Sequence, residues 1–198
     1  MLWINGAFGS GKTQTAHELW RRLPDAHVAD PEVLGFAIGK MLPRGTYTDF
    51  QDIPQWRAGV VDTLHQAVAA STGPVLVPMT VVRDDYFDEL VGGLRERGVD
   101  VRHYALSATA ETLRRRLKSR LSSLRGFEDT WALSNIDRCV TALGSERYAT
   151  HVPTDELSTD EVVEWIAHDA DLSLTKERMR PARYQLRRLA VGIRHIRV

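Results

Sequence analysis

Eight residues near the start of the chain have types and a spacing suited to holding phosphate. The run Gly6-Ala7-Phe8-Gly9-Ser10-Gly11-Lys12-Thr13 follows the pattern G-x-x-x-x-G-K-[ST]. Glycine adopts backbone angles that other residues avoid, so successive N–H groups of such a loop can point at phosphate oxygens. The lysine offers an ammonium to the β- and γ-phosphates, and the threonine hydroxyl suits Mg²⁺. A strand-like run before the loop and a helix after it argue against a chance match, so we expect ATP and Mg²⁺ here. The residues expected to bind the nucleotide are Gly6, Phe8, Gly9, Ser10, Gly11, Lys12, Thr13, Gln14 and Arg116.

Asp30 is the second candidate, because it directly follows a short apolar run and precedes Pro31. We expect its carboxylate to face the phosphates across a cleft, where it accepts a hydroxyl proton or holds magnesium through water. The alternative is a cap for the helix that begins at Pro31, and one residue can serve in both roles.

The expected third strand, residues 74–80, ends at Thr80 without a carboxylate directly behind it. Kinase-like sites often place a magnesium-binding acid there. Magnesium is therefore expected to rely on Thr13, Asp30 and water. Thr80 itself is either a substrate contact or simply the last residue of the strand.

Gln51, Trp56 and Arg57 flank the expected third helix. An aromatic ring with an arginine and an amide suits a nucleobase-like ring or an anionic group. We list all three as substrate-binding candidates. The alternative for Trp56 is a place on the apolar face that it shares with Val60.

Arg116 and Arg120 are four residues apart and so lie on one face of a strongly basic helix. One arginine can stack on adenine while the other reaches the transferred phosphate. We assign Arg116 to the nucleotide and Arg120 to catalysis, within a lid of about residues 114–138. The alternative is a solvated basic helix face.

Strands and helices alternate along the chain and must position these candidates. Strands are expected at residues 2–5, 26–29, 74–80, 101–106 and 151–154, and helices at 13–23, 31–41, from 54 onward, 84–97, 109–124, 131–143 and 158–170. Such alternation implies right-handed crossovers and a mostly parallel sheet with helices on both faces. We therefore predict an α/β, three-layer P-loop NTPase fold with a kinase-like lid, binding ligands at the C-terminal ends of its strands.

The length of 198 residues suits one domain, expected over residues 1–170, followed by a tail at 171–198. Positions 176–198 hold eight basic residues and one acid, although the whole chain is neutral. Residues 183–198 have the pattern of a basic amphipathic helix, which either lies on an anionic membrane or packs on the domain. No nucleic-acid partner is expected.

Cys139 is the single cysteine, so no disulfide can form within the chain. Together with the absence of a signal-like or membrane-spanning apolar stretch, this favours a cytoplasmic protein, with the inner face of the membrane as a peripheral location. Cys139, His103, His151 and His168 are expected to be structural.

Several segments resemble the ATP-binding tunicamycin-resistance proteins, which are small P-loop kinase-like proteins. The resemblance lies in residues 5–16, 30–32, 49–52, 56–57 and 77–80, and extends from residue 1 to about residue 170. It implies ATP binding, a uridine-type antibiotic as the small-molecule partner, and a C-terminal segment at membranes. It leaves open whether the antibiotic is phosphorylated or sequestered.

The leading hypothesis is a small-molecule kinase in which Lys12, Asp30 and Arg120 act in phosphoryl transfer to tunicamycin or a related nucleoside antibiotic. One alternative is a binding protein that holds ATP and captures the antibiotic at the membrane without chemistry. Another is a house-keeping nucleoside or cofactor kinase.

Overall fold

Five parallel strands form a sheet in the order β2-β3-β1-β4-β5 in the computed structural model. The structure describes residues 1–43, 45–122 and 130–180, without the side chains of residues 120–122. The strands are β1 (Leu2–Gly6), β2 (His27–Val28), β3 (Val75–Pro78), β4 (Arg102–Ser107) and β5 (His151–Pro153). All pairings are parallel, so the predicted α/β three-layer fold is confirmed.

Helices follow the strands in alternation. They are α1 (Lys12–Arg22), α2 (Glu32–Met41), α3 (Pro54–Ala70), α4 (Asp84–Phe87), α5 (Gly93–Glu96), α6 (Ala110–Ser122), α7 (Thr130–Leu143) and α8 (Thr159–Asp169). A π-helical turn at Asp88–Gly92 joins α4 to α5, and 3₁₀ turns lie at Phe50–Asp52 and Glu146–Tyr148. Within the described ranges, no helix has both the length and the apolarity needed to cross a bilayer.

The central strand β1 is buried along its whole length because β3 and β4 flank it. Its side chains alternate between the two faces of the sheet, as strand geometry requires. Trp3 joins a core cluster with residues of α3 and of the α4–α5 stretch. Leu2 and Ile4 join the opposite cluster with α1 and α8. These two cores account for the helices on both faces.

A third apolar cluster lies at the C-terminal end of the sheet. It joins Ala7, which follows β1, to Leu113 and Leu117 of α6 and to Ile136 and Cys139 of α7. The loop after β1 is therefore packed between the strand that leads into it and two later helices.

The chain stays packed on the domain beyond residue 170, where the sequence predicted the tail to begin. Leu172 and Leu174 contact the core on the α1–α8 face. Thr175 donates to the carbonyl of Arg22 from both its N–H, at 2.8 Å, and its hydroxyl, at 3.1 Å. The guanidinium of Arg178 pairs with Glu164 on α8. The amphipathic segment expected at 183–198, and residues 123–129 of the expected lid, lie outside the described residues.

Candidate functional site

The loop between β1 and α1 has a backbone that only glycine supports easily. Gly9 and Gly11 have φ angles of +85° and +102°, in the left-handed region that disfavours a side chain. The N–H of Ser10 donates to the carbonyl of Ala7 at 3.1 Å, and Thr15 N–H donates to Gly11 at 2.9 Å as α1 begins. The loop therefore leads into the N-terminus of a helix, where N–H groups and the helix dipole favour an anion.

Helix α6 adds a second reason for glycine at position 9. A Cβ there would lie 3.1 Å from the carbonyl oxygen of Leu113 and 3.2 Å from Cγ of Leu117. Gly11 has no atom within 4 Å of its hypothetical Cβ, so its requirement is purely conformational.

The charged end of the loop is Lys12. Its ammonium folds back to donate to the carbonyl of Ala7 at 3.2 Å and lies 5.6 Å from the centre of the Phe8 ring. This position is on the loop itself, where phosphate oxygens can replace the carbonyl as its partner. Thr13 occupies the first turn of α1 and is half-buried.

Ser10 provides a further test of whether the loop fits a phosphate. Its Oγ is buried and makes no hydrogen bond within the described part of the chain. A buried hydroxyl without a partner costs free energy, and a phosphate oxygen in the loop would supply that partner. The glycine angles and this hydroxyl fit the triphosphate that the sequence pattern predicts.

Asn5, the residue of β1 just before the loop, stabilises the loop through hydrogen bonds. Its side-chain oxygen accepts from Gly6 N–H at 2.8 Å and from Val81 N–H at 3.0 Å. Its amide nitrogen donates to Val81 O at 2.8 Å and to His103 Nε2 at 3.1 Å. One fully buried amide therefore ties the ends of β1 and β3 to β4.

Thr80 is a structural tie between β3 and the loop. Its hydroxyl donates to the carbonyl of Gly6 at 2.8 Å, and the side-chain amide of Gln51 donates to the carbonyl of Thr80 at 3.1 Å. Thr80 is 4% exposed. Both residues nevertheless line the cleft beside the loop, so the structure brings these two substrate candidates together.

This cleft opens between the phosphate loop, the turn at 48–52, the start of α4, and α7. Its volume is about 160 Å³. Phe8 and Trp131 both line it and pack edge to face, with ring centres 5.0 Å apart. The lining residues are Phe8, Thr48, Asp49, Gln51, Asp52, Thr80, Val82, Arg83, Tyr86, Trp131, Asn135, Arg138 and Cys139. Aromatic faces with carboxylates, amides and guanidiniums around them suit a polar ring-containing molecule.

Trp56 requires a correction, because it does not reach this cleft. It is fully buried, packs in the core on the α3 face, and donates its indole N–H to the carbonyl of Pro31 at 3.1 Å. The expected substrate contact is therefore wrong, and the alternative, a place in the core with Val60, is confirmed.

Arg57 acts on the cleft indirectly. Its Nε donates to Glu89 at 2.5 Å, its Nη1 donates to the carbonyl of Gln51 at 2.5 Å, and its guanidinium lies 4.2 Å from the centre of the Tyr86 ring. It is 8% exposed and is not among the residues that line the cleft. The structure thus uses Arg57 to hold the turn that carries Gln51, which differs from the direct contact expected.

Asp30 lies at the end of β2 and caps the next helix. Its Oδ1 accepts from the N–H of Glu32 at 3.0 Å, which is the alternative that the sequence offered. Among the described residues, Asp30 is not one that lines the cleft. Its role in proton transfer or magnesium binding stays a prediction.

Arg116 projects from α6 toward the end of β5. Its guanidinium donates to the hydroxyl of Thr154 at 3.2 Å and also to the carbonyl of Thr154. It is therefore held at the C-terminal edge of the sheet, close to the loop that α6 covers. The side chain of Arg120 lies outside the described residues.

The two acids that follow the third strand already have hydrogen-bond or ion-pair partners. Asp84 accepts from the hydroxyl of Tyr148 at 3.0 Å, and Asp85 pairs with Arg83 at 2.5 Å. Across the described ranges, no group of three or more His, Cys, Asp or Glu side chains is arranged to hold a metal ion. Thr13 stays the expected magnesium ligand on the loop.

Sequence reasoning missed the contribution of α7. Trp131, Asn135, Arg138 and Cys139 form one wall of the cleft. Their spacing of three and four residues marks one helix face, but nothing local shows that this face meets the phosphate loop. Cys139 is 1% exposed and packs with Ala7, so its expected place in the core is confirmed.

Asp49 was also missed as a site residue. Burial raises the pKa of its carboxyl and the charge of Asp52 adds to this, while the N–H of Gln51 and the charge of Arg138 act in the opposite direction. Perturbed carboxylates in clefts are frequent at functional sites.

Comparison with known proteins matches residues 1–133, more than half of the chain, to an AAA domain. The tunicamycin resistance protein of Deinococcus radiodurans is 32% identical, with a TM-score of 0.75, over 89% of this chain and 98% of that one. A sugar kinase from Janibacter sp. is 19% identical, with a TM-score of 0.63 over 86% and 94% of the two chains. A gluconokinase from Sinorhizobium meliloti is 17% identical, with a TM-score of 0.59 over the same shares. The likeness to these two kinases is one of fold. No curated protein matches the chain.

Proposed function

We propose a function from one premise: the chain belongs to the AAA-domain family and, within it, to the tunicamycin-resistance proteins. We infer that it is an ATP-dependent phosphotransferase that inactivates tunicamycin or a related uridine-type antibiotic. The observation that carries this proposal is the cleft that shares Phe8 with the phosphate loop. A molecule bound there lies directly beside the place where the loop would hold a triphosphate.

The nucleotide would be held mainly by the loop. When bound, ATP supplies the transferable phosphoryl group and Mg²⁺ offsets phosphate charge, with the Thr13 hydroxyl as its ligand. The loop N–H groups and the ammonium of Lys12 bind the phosphates. Arg116, at the sheet edge beside Thr154, would contact the nucleotide, and Arg120 would stabilise charge on the transferred group.

The acceptor would lie in the cleft between Phe8 and α7. The rings of Phe8 and Trp131 line this space and suit a nucleobase or sugar, and Gln51 lines it with a side-chain amide that can bond polar groups. In this class, catalysis comes mostly from positioning and charge neutralisation. Asp30 would assist by orienting the acceptor hydroxyl or by holding magnesium through water.

The proposed setting is the cytoplasm, with residues 183–198 binding the anionic inner face of the membrane. Eight basic residues between 176 and 198 supply the charge that such a surface attracts. Flotation with anionic liposomes of the full chain and of a form truncated after Arg180 tests this location. Equal flotation of the two forms would remove it.

Mass spectrometry of tunicamycin incubated with the protein and Mg-ATP tests the activity. We expect the drug to gain one phosphate, and Lys12→Ala to abolish that gain because the phosphates lose their ammonium. Drug that is depleted from solution but unmodified would support sequestration instead. Unmodified and unbound drug, with unchanged growth on tunicamycin when the gene is deleted, would favour a house-keeping kinase.

A further inference from the structure

Asp49 lies in the turn beside the proposed acceptor site. It precedes the 3₁₀ turn at Phe50–Asp52 and accepts from the N–H of Gln51 at 2.9 Å through one carboxylate oxygen. The residue lines the cleft in which we place the acceptor, together with Phe8 of the phosphate loop. Asp49 and the phosphate loop therefore border one and the same cleft.

A shared neighbour relates Asp49 to the lysine of the loop. The pKa of the Cys139 thiol is raised chiefly by burial, and it is also lowered by the charge of Lys12 and raised by that of Asp49. Cys139 packs against Ala7 of the loop and lines the cleft with Asp49, so it lies next to both segments. The loop and the turn that carries Asp49 thus both border this part of the cleft, through Phe8 and Asp49.

Asp30 is less well placed for the same task. Its carboxylate caps α2 through the N–H of Glu32 and, in the described part of the chain, is not part of the cleft lining. Asp49 also makes a backbone hydrogen bond, yet it lines the cleft.

We propose that Asp49 is the general base that takes the proton from the acceptor hydroxyl, an inference that rests on the proposed phosphotransferase function. In this step the acceptor O–H bond breaks and its proton passes to the Asp49 carboxylate. The acceptor oxygen forms a bond to the γ-phosphorus, the bond from that phosphorus to the β–γ bridging oxygen breaks, and ADP leaves. Asp49 then releases the proton to water.

The surroundings of Asp49 strengthen its carboxylate as a base. Burial and Asp52 raise the pKa of its carboxyl, which increases its basicity, while Arg138 keeps it from rising further. The charged side chains that act on it are Asp52 from its own turn and Arg138 from α7. Cys139 of α7, and Arg83 and Tyr86 at the start of α4, line the same cleft.

Asp49→Asn is the direct test, because the asparagine oxygen can still accept from Gln51 N–H and hold the turn. We expect kcat for tunicamycin phosphorylation to fall by about 10²- to 10⁴-fold, the usual worth of a general base. Calorimetric binding of tunicamycin and of Mg-ATP should change less than about threefold, since ground-state contacts remain. Asp49→Glu should restore part of kcat because it keeps a carboxylate.

The pH profile supplies a second, independent readout. Wild-type kcat should rise with pH through the pKa of Asp49 and then level off. Asp52→Asn should move this rise to lower pH, and Arg138→Gln should move it to higher pH, because one removes a negative and the other a positive neighbour. Asp49→Asn should lack the rise.

The outcomes separate the two proposals. If wild type phosphorylates tunicamycin and Asp49→Asn keeps kcat within threefold, Asp49 is not the base and the phosphotransferase function stands. A loss of tunicamycin binding with unchanged kcat would equally overturn the role, making Asp49 a binding residue. If wild type leaves the drug unphosphorylated, the proposed function fails and this role fails with it.

Discussion

Asn5 and His103 are joined by a buried hydrogen bond, 3.1 Å long, from the Asn5 amide to Nε2 of the imidazole. The opposite ring nitrogen, Nδ1, lies 3.2 Å from the carbonyl of Ala149. Nε2 accepts and Nδ1–H donates only in the neutral ring, so the two partners specify one uncharged tautomer. Because Asn5 also holds Gly6, the charge state of His103 bears on the base of the phosphate loop.

The first prediction concerns acid sensitivity. Burial lowers the pKa of His103 to about 4, whereas an unfolded histidine titrates near about 6.5. Between these values the unfolded chain binds a proton that the folded chain excludes, so stability falls as pH decreases through this window. The loss approaches about 3 kcal/mol and is absent above the unfolded pKa.

Urea unfolding of wild type and of His103→Gln at half-unit steps from pH 7.5 to pH 4 measures this effect. The difference in free energy of unfolding between the two proteins should shrink as pH falls, because only wild type carries the imidazole. A constant difference across the range would show that His103 does not bring about the acid sensitivity.

A second prediction addresses the amide of Asn5. Asn5→Asp keeps the acceptor for Gly6 and Val81 but places an oxygen against Val81 O and His103 Nε2. We expect unfolding free energy to fall by about 2–4 kcal/mol at pH 7.5, the cost of burying a charge among acceptors. A carboxylate at this position should raise the pKa of His103 above its wild-type value of about 4. The variant should therefore recover part of this loss near pH 5, where His103 becomes a donor to the new carboxylate. Stability within 0.5 kcal/mol of wild type would contradict this account, by the error typical of such comparisons.

Gly9→Ala should weaken nucleotide binding, and the loss of binding free energy should exceed the loss of unfolding free energy. The change combines left-handed strain with contacts of 3.1 and 3.2 Å to α6, so the loop must shift. We expect the Kd for Mg-ATP to rise at least tenfold, roughly 1.4 kcal/mol. Gly98→Ala is the matched control, since its φ is +79° with nothing within 4 Å. It should lose about 1 kcal/mol of stability and keep its affinity. Equal affinity losses in both variants would argue against a specific loop effect.

Trp131→Ala tests whether the wall of the cleft formed by α7 binds the acceptor. Trp131 is 41% exposed and packs edge to face on Phe8. Its removal should raise KM for tunicamycin by about tenfold, as loss of an aromatic contact of roughly 1.4 kcal/mol implies, while Kd for ATP stays near wild type. Trp165→Ala removes a similarly exposed ring, 38% exposed, from α8 on the other face of the sheet. A matching rise in KM there would refute the assignment of the wall.

The last prediction concerns Arg22, which is 5% exposed and bonds to Glu164 at 3.1 Å, Asp160 at 3.4 Å and Lys176 O at 3.0 Å. Arg22→Met should cost about 2–3 kcal/mol, below the usual range for a broken buried pair because Glu164 is partly exposed. Hydrogen exchange should show faster exchange at Thr175, whose N–H bonds to position 22. Unchanged protection at Thr175 would mean that the segment is held by other contacts.

Local signals were enough to predict the fold. The apolar run of β1, the proline that opens α3 and the capping box at Ser158 each act over a few residues, so the elements and their alternation could be derived. The phosphate loop is likewise a local pattern, and its positive φ angles at glycine follow from it.

The wall of the cleft formed by α7 depends on contacts between distant segments, so local sequence signals could not predict it. Trp56 and Trp131 both lie in the first turn of a helix, yet one is fully buried and the other is 41% exposed beside the loop. The difference arises from where α3 and α7 pack, which no local pattern specifies. For the same reason, Arg57 was expected to contact substrate although Glu89 and Gln51 already engage it.

Helix α1 begins at the phosphate loop and ends at Arg22, whose carbonyl accepts a hydrogen bond from Thr175. The helix is 11 residues long, which at about 1.5 Å per residue amounts to about 16 Å. A linker, dye or solid support attached to the chain after Arg178 therefore lies near the C-terminal end of α1, on the side away from the phosphate loop. Protein immobilised in that way should present its cleft outward, which makes this end the rational point of attachment for surface-based binding measurements.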